Sequence, residues 1–361
     1  MKRFMIVTVS MLLFSVSLPI FAQGEATGLF LLINPGARQG GMGEAGVALA
    51  NDVNALYWNP AGLAFQYENP ETQSRGEATI MHVNWLPQFN LNDLYYDFAA
   101  ARYYLPGVGT VGFGIQYMNY GEIAVTTDQS PDPVDFFTSN EMAFTGSYSL
   151  KLKDNLAMGV NLKFVYSRLS PTVGVSAEKG KGIGSTFALD LGILYHPGFA
   201  KRLSLGANIS NIGPKITYID KEQADPIPTN LRLGFAYKIM NSEFNKLTFV
   251  YDANRLLVPR DEEKRVESFM TFFLSTWGDG SVSDQFKRFT HSFGLEYWYT
   301  NLIALRSGYF YEDPNFGGRK FWTFGGGVYI SFFGVDFSYI LASVDDHPLA
   351  NTMRFSLLAK F

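Results

Sequence analysis

A chain of 361 residues without a cysteine forms no disulfide, no thiolate metal site and no lipid anchor on a processed N-terminal Cys. Its formal net charge of -4, with 17% charged residues, leaves no basic footprint for nucleic acid. Thirty-two Phe, 20 Tyr and 35 Gly are high for a soluble enzyme of this size, and the length admits either two ordinary domains or one large barrel.

In chain order, residues 1–22 read as an export signal. Lys2 and Arg3 form the positive start, "FMIVTVSMLLFSVSLPIF" the apolar core, and Ala22 the cleavage position. After this leader no uninterrupted apolar run approaches the ~20 residues a helix needs to cross a bilayer. A membrane-embedded mature protein must then be a closed barrel, because open sheet edges are not tolerated in lipid.

Residues 23–74 are too apolar for a tail and too irregular for a barrel wall. Gly41, Gly43 and Gly46 satisfy G-x-G-x-x-G, but no acidic residue follows at the required distance and no parallel crossover appears, so nucleotide binding is rejected. Two Asn-Pro turns, Asn34-Pro35 and Asn59-Pro60, frame "GEAGVALANDVNALYW", which reads as a short Ala-rich helix. The segment is expected to be a plug inside the barrel, seated by Trp58, Asn59, Pro60, Ala61 and Gly62 of "ALYWNPAGLAF".

From residue 75 to 361 the chain alternates at period two. In "NLAMGVNLKFVYSRL" the residues Leu156, Met158, Val160, Leu162, Phe164 and Tyr166 share one face, while Ala157, Gly159, Asn161, Lys163 and Ser167 share the other. That is a lipid-facing band over a small and polar interior. Fourteen such segments are read: 76–85, 93–104, 108–119, 140–150, 155–168, 185–196, 202–212, 229–240, 245–254, 290–299, 302–312, 320–331, 334–343 and 351–361. Short and long connections alternate, as expected of tight periplasmic turns and external loops. The expected fold is therefore an all-β, 14-stranded antiparallel transmembrane barrel with an N-terminal hatch, in the outer membrane. The glycines of "GVGTVGFG", Gly107, Gly109, Gly112 and Gly114, leave either a lateral opening or room for the hatch.

Alternation points Lys163, Asp190, Arg232, Glu296 and Arg306 inward, as charges that satisfy one another. Two loops carry candidate partner anchors. Phe136 and Phe137 lie in "PVDFFTSN", and "DEEKRVESFMTFFLSTWGDG" presents Phe269, Met270, Phe273 and Trp277 at helical spacing. His82, His196, His291 and His347 are scattered and belong to no metal or nucleophile motif, so neither an enzyme nor a cofactor is expected.

"NPGARQGGMGEAGVALANDVNALYWNPAGLA" resembles the hatch of FadL-type outer-membrane proteins, whose Asn-Pro-Ala element corresponds to Asn59, Pro60 and Ala61. The stretch from "WLPQFNLNDLYYDFAAARYY" through "GVGTVGFGIQYMNYGEI" is similar to the PorV branch of the PorV/PorQ group. That resemblance implies a component of type IX protein secretion. It would receive cargo bearing a conserved C-terminal domain from a large translocon barrel and carry it to the surface attachment machinery. FadL members proper pass long-chain fatty acids or other hydrophobic molecules inward, which is the alternative function.

Overall fold

The period-two alternation resolves, in a computed structural model, into fourteen strands, each paired antiparallel with its sequence neighbours and closed where β1 meets β14. They are β1 (Gly76–Asn84), β2 (Tyr95–Leu105), β3 (Gly109–Thr127), β4 (Ser130–Lys153), β5 (Leu156–Arg168), β6 (Ile183–Tyr195), β7 (Leu203–Ile212), β8 (Asn230–Asn241), β9 (Asn245–Leu256), β10 (Thr290–Tyr299), β11 (Ile303–Tyr311), β12 (Lys320–Ile330), β13 (Phe333–Ala342) and β14 (Met353–Lys360). The structure describes residues 26–67, 74–89, 91, 93–127, 130–169, 182–218, 224–258, 281–342 and 347–361. The export signal therefore lies outside the described residues, and so does the whole of the helix read at 261–277.

Each strand obeys the sidedness that its sequence sets. On β5, Leu162 is 60% exposed while Lys163 is 2% exposed. Val165, a large apolar residue on the otherwise small and polar face, is fully buried in the lumen cluster that also contains Leu56, Tyr57 and Trp58. The outward band is Leu, Phe, Ile and Val, and in lipid rather than water its exposure carries no cost. Tyr95 and Tyr117 near one end, and Tyr309 against Trp322, are ring pairs of the aromatic belt expected at a membrane boundary.

Apart from the link between β3 and β4, the short connections lie at one end, where the backbone N–H groups of Arg75 and Gly76 also donate to the carbonyl of Phe361. That end is periplasmic by the rule that barrel turns there are tight.

One connection differs from the sequence reading. Residues 120–139 were expected to be a loop, but β3 and β4 run on as a ribbon. Pairing of β3 with β2 stops at Asn119 and that of β4 with β5 at Asn140, while Ile123 still opposes Phe137 and Ala124 still opposes Phe136. At ~3.3 Å per residue the arm projects about 25 Å past the rim. Its root is a register shift at Gly121, which has φ +79°. There the Asp93 carboxylate accepts from the Glu122 N–H at 2.8 Å, and the Asn119 amide donates to the Asp93 carbonyl at 2.7 Å.

The N-terminal segment runs through the bore. Thr27 donates its N–H to Pro226 in the long β7–β8 connection, and the Gln66 carbonyl at the other end accepts from Arg102. Among the described residues of this segment only Ala37–Gly40 (α1) and Ala55–Trp58 (α2) are α-helical, so the expected continuous helix over 43–58 is not formed. Gly43 and Glu44 take left-handed φ, +67° and +63°, and the wall competes successfully for the helix's backbone bonds. Asp252 accepts from the N–H groups of Gly46 and Val47 at 2.7 and 2.8 Å, and the Asn59 amide donates to the Val47 carbonyl.

Wall glycines permit this approach. A Cβ on Gly159 would strike Pro60 and Ala61, one on Gly192 Asn59, one on Gly206 Val47, and one on Gly308 Met42 and Gly43. Gly112 and Gly114 face Leu56, and both keep their partners on β2 and β4, so the sheet is continuous there. Gly107 precedes β3, in the turn, with φ +75°.

We expect Gly308→Val to destabilise the barrel by about 3 kcal/mol through overpacking. Gly146→Val, whose Cβ would meet nothing within 4 Å, should be neutral. Urea titration of the heat-modifiable band on gels measures both.

Candidate functional site: the charged lumen and the projecting arm

The lumen charges follow from cross-strand register. Glu296 on β10 directly opposes Arg306 on β11, which bonds it at 2.9 Å and reaches Asp336 on β13 at 2.5 Å. The Tyr329 hydroxyl caps the second Asp336 oxygen. From the insert, Arg38 in α1 closes a bidentate fork on Glu296, both bonds 2.7 Å, and its third nitrogen holds Asp52 at 2.9 Å and Asn51 at 2.7 Å. Planar guanidinium geometry is what makes a two-point grip on one carboxylate possible. Burial opposes the charge on Arg38, yet Glu296 and Asp52 outweigh it and hold its pKa well above the ordinary guanidinium value.

Lys163 on β5 bonds Asp190 on β6 at 2.8 Å, and Asp190 also accepts from Asn161 and from the N–H of Asn211. Arg232 on β8 stands apart from both clusters. It donates to the Tyr57 hydroxyl at 2.8 Å and to Asn34 at 3.0 Å, with its guanidinium 4.5 Å from the Tyr57 ring centroid and 4.8 Å from that of Trp58. Burial lifts the Tyr57 phenol above its usual range, against the pull of Arg232. The five inward charges thus form two ion-paired clusters and one cation held over two rings rather than one network.

The turn residues are equally fixed. Trp58, Asn59, Pro60, Ala61 and Gly62 are all buried, and the Trp58 indole donates to the Pro35 carbonyl at 3.1 Å. Asn59 donates to the wall at Ile193, Ser149 donates to the Pro60 carbonyl at 2.6 Å, and Asn208 donates to the Trp58 carbonyl.

Several contributors escaped the sequence reading. Arg38, Glu44 and Asp52 lie in the irregular segment, where no periodicity assigns a direction. Glu44 pairs with Arg354 at 2.6 Å. Arg354 and Asp336 could have been found, since both sit on the inward phase of regular strands.

At the outer end, Phe136 and Phe137 are consecutive strand residues and so point to opposite faces of the arm, not onto each other. Phe136 is 55% exposed and Val134 57%, with Ile123 also exposed; Phe137 is half-buried. Phe269, Met270, Phe273 and Trp277 lie outside the described residues. His82 faces outward and bonds Asp97 at 2.6 Å, and His291 faces outward and bonds the Tyr251 hydroxyl at 2.8 Å. Among the described residues no His, Asp and Glu group has a metal-binding arrangement.

The family described as Type IX secretion system protein PorV matches residues 24–263, more than half of the chain. The chain belongs to the PorV family. No curated protein matches it. Among solved structures, the toluene transporter TodX of Pseudomonas putida is 15% identical, with 94% of this chain and 98% of that chain covered at a TM-score of 0.53. The toluene transporter TbuX of Ralstonia pickettii is 14% identical, with 91% and 98% covered and a TM-score of 0.51. The CymD monoaromatic hydrocarbon channel is 13% identical, with 91% and 98% covered and a TM-score of 0.53. At such identities the likeness is one of fold. PorV-family membership and this barrel locate the protein in the outer membrane, as a component of type IX secretion.

Removing Arg38 leaves Glu296 and Asp52 buried without their shared cation. Arg38→Ala is expected to cost about 3–5 kcal/mol and to expose the N-terminal segment to protease, whereas Arg38→Lys should recover part of the loss. Limited proteolysis of purified protein reads both outcomes.

Proposed function

We propose that this PorV-family barrel is a protein-binding carrier. It takes cargo C-terminal domains released by the translocon barrel and brings them to the surface attachment complex. The observation that carries the reading is the β3–β4 arm. A ribbon extending past the rim exposes Ile123, Val134 and Phe136, and an isolated hairpin has no core of its own in which to bury them. Exposed aromatic and aliphatic side chains along a braced support are suited to serve as anchors in a partner's pocket. Phe137 on the opposite face supplies a second anchor, and Phe269, Met270, Phe273 and Trp277 of the longest loop are assigned to the same docking role.

On this reading residues 23–74 are a hatch whose work is structural, held by Asn34, Pro35 and the Trp58–Gly62 turn. The lumen charges Lys163, Asp190, Arg232, Glu296 and Arg306 anchor it and take no part in chemistry. The reading gives the chain no enzymatic role.

A conduit for hydrophobic molecules, the kind of role named for the aromatic-hydrocarbon relatives of this fold, needs an apolar route past the insert. Here Leu56, Trp58 and Asn59 lie against the wall, and the route inward is crowded with ion pairs.

A photo-crosslinking phenylalanine analogue at position 136 is expected to capture a secreted cargo protein or a secretion component in intact cells, and one at outward Leu162 only lipid. Phe136→Asp should lower cargo recovery at least tenfold with the barrel still heat-modifiable. Undiminished recovery in that variant would remove the arm from the docking surface.

A further inference from the structure

The short-turn end of the bore opens into a cavity of about 600 Å³, whose floor is the insert around Asn51 and the Arg38 fork. Three lysines line its mouth: Lys238 on β8, Lys246 on β9 and Lys360 on β14. All three continue the inward phase of their strands, below Arg232, Thr248 and Leu358 respectively. They differ from the cations deeper in the lumen. Arg38, Arg102, Lys163, Arg306 and Arg354 each hold a carboxylate, and Arg232 lies over two rings. The ammonium groups of Lys238, Lys246 and Lys360 make no ion pair among the described residues, and the one side-chain hydrogen bond in this group is Lys246 to the Asn301 side-chain oxygen at 2.6 Å. The acids lining the cavity are engaged by deeper cations, Glu296 and Asp52 by Arg38 and Glu77 by Arg102, and Glu77 also stands opposite Lys360 in the β1–β14 register.

A cleft with an excess of one sign of charge focuses the field and draws in the opposite charge. The placement decides what kind of anion fits. On adjacent strands Lys238 opposes Thr248 and so lies diagonal to Lys246, while Lys360 faces them from beyond β10–β13. A single phosphate or carboxylate satisfies one side only. A ligand that engages both carries several acids along an extended backbone, while Trp298 and Leu302 offer apolar contact between them. Acidic segments of this kind are a recurring interaction element.

We propose that this cavity is a docking site for an acidic, extended peptide segment of a periplasmic protein. The site is separate from the arm on the opposite end, so a barrel could engage a periplasmic partner while its outer face holds another protein. It also ends on Asn51 and Arg38, so an occupant would touch the same side chains that fasten the insert.

Fluorescence anisotropy of labelled hexaglutamate against the full-length protein in a neutral detergent tests this. Saturable binding is expected, weakening about tenfold as screening lengths shrink from ~10 Å at 0.1 M salt toward ~3 Å at 1 M. The triple variant Lys238→Ala, Lys246→Ala, Lys360→Ala should lose at least tenfold in affinity. A control triple variant at exposed charges outside the cavity, Lys153→Ala, Lys201→Ala, Arg202→Ala, should bind as the parent does. Equal loss in both variants would reduce the effect to general surface charge and overturn the site. Displacement of the peptide by millimolar inorganic phosphate would reassign it to a single-anion pocket. Displacement by phosphatidylglycerol nanodiscs, without effect of phosphate, would reassign it to a lipid headgroup. Neither reassignment bears on the arm, whose crosslinking is read separately.

Discussion

A sheet that crosses a bilayer must satisfy every backbone N–H and C=O within the protein, so its first and last strands have to meet. Here that constraint is discharged by β1 against β14, and it creates a second one. A bore enclosed by fourteen strands is wider than wall side chains fill, and polar groups that line it need partners. The N-terminal segment answers both demands. Its backbone donors end on Asp252, Thr323 and Ser356 of the wall, and its Arg38 completes the valence of Glu296.

The consequences reach back into composition. Inward glycines on β5, β6, β7 and β11 are where the insert's backbone touches the sheet, so part of the high glycine content is the imprint of the insert on the wall. The two Asn-Pro turns are similarly explained. Asn59 bonds its own chain at Ala61 and Val47 and the wall at Ile193, which makes it a joint between insert and barrel rather than a simple bend.

Strand positions were legible in the sequence because lipid on one side and a polar bore on the other impose opposite demands on alternate residues. Lys163 and Asp190 could be pointed inward for that reason, and Glu296 and Arg306 likewise. The arm was not legible. Beyond the membrane neither face of the ribbon is buried, so Phe136 next to Phe137 leaves no alternation to read. The insert resisted for another reason. "GEAGVALANDV" has helix-forming residues, but Asp252, far away in sequence, and the side chain of Asn59 claim its backbone, and these bonds outweigh local propensity. No pattern in a single chain reveals that Arg38 and Glu296, 258 positions apart, form the fork.

The central claim is that this barrel handles proteins, with its bore occupied and its contacts made at the ends. The most direct measurement is native purification from outer membranes in mild detergent, followed by mass spectrometry of everything that accompanies it. The account predicts secretion components or cargo sharing a C-terminal domain, recovered in stoichiometric amounts. Stoichiometric fatty acid or another hydrophobic small molecule, with no protein partner, would contradict it.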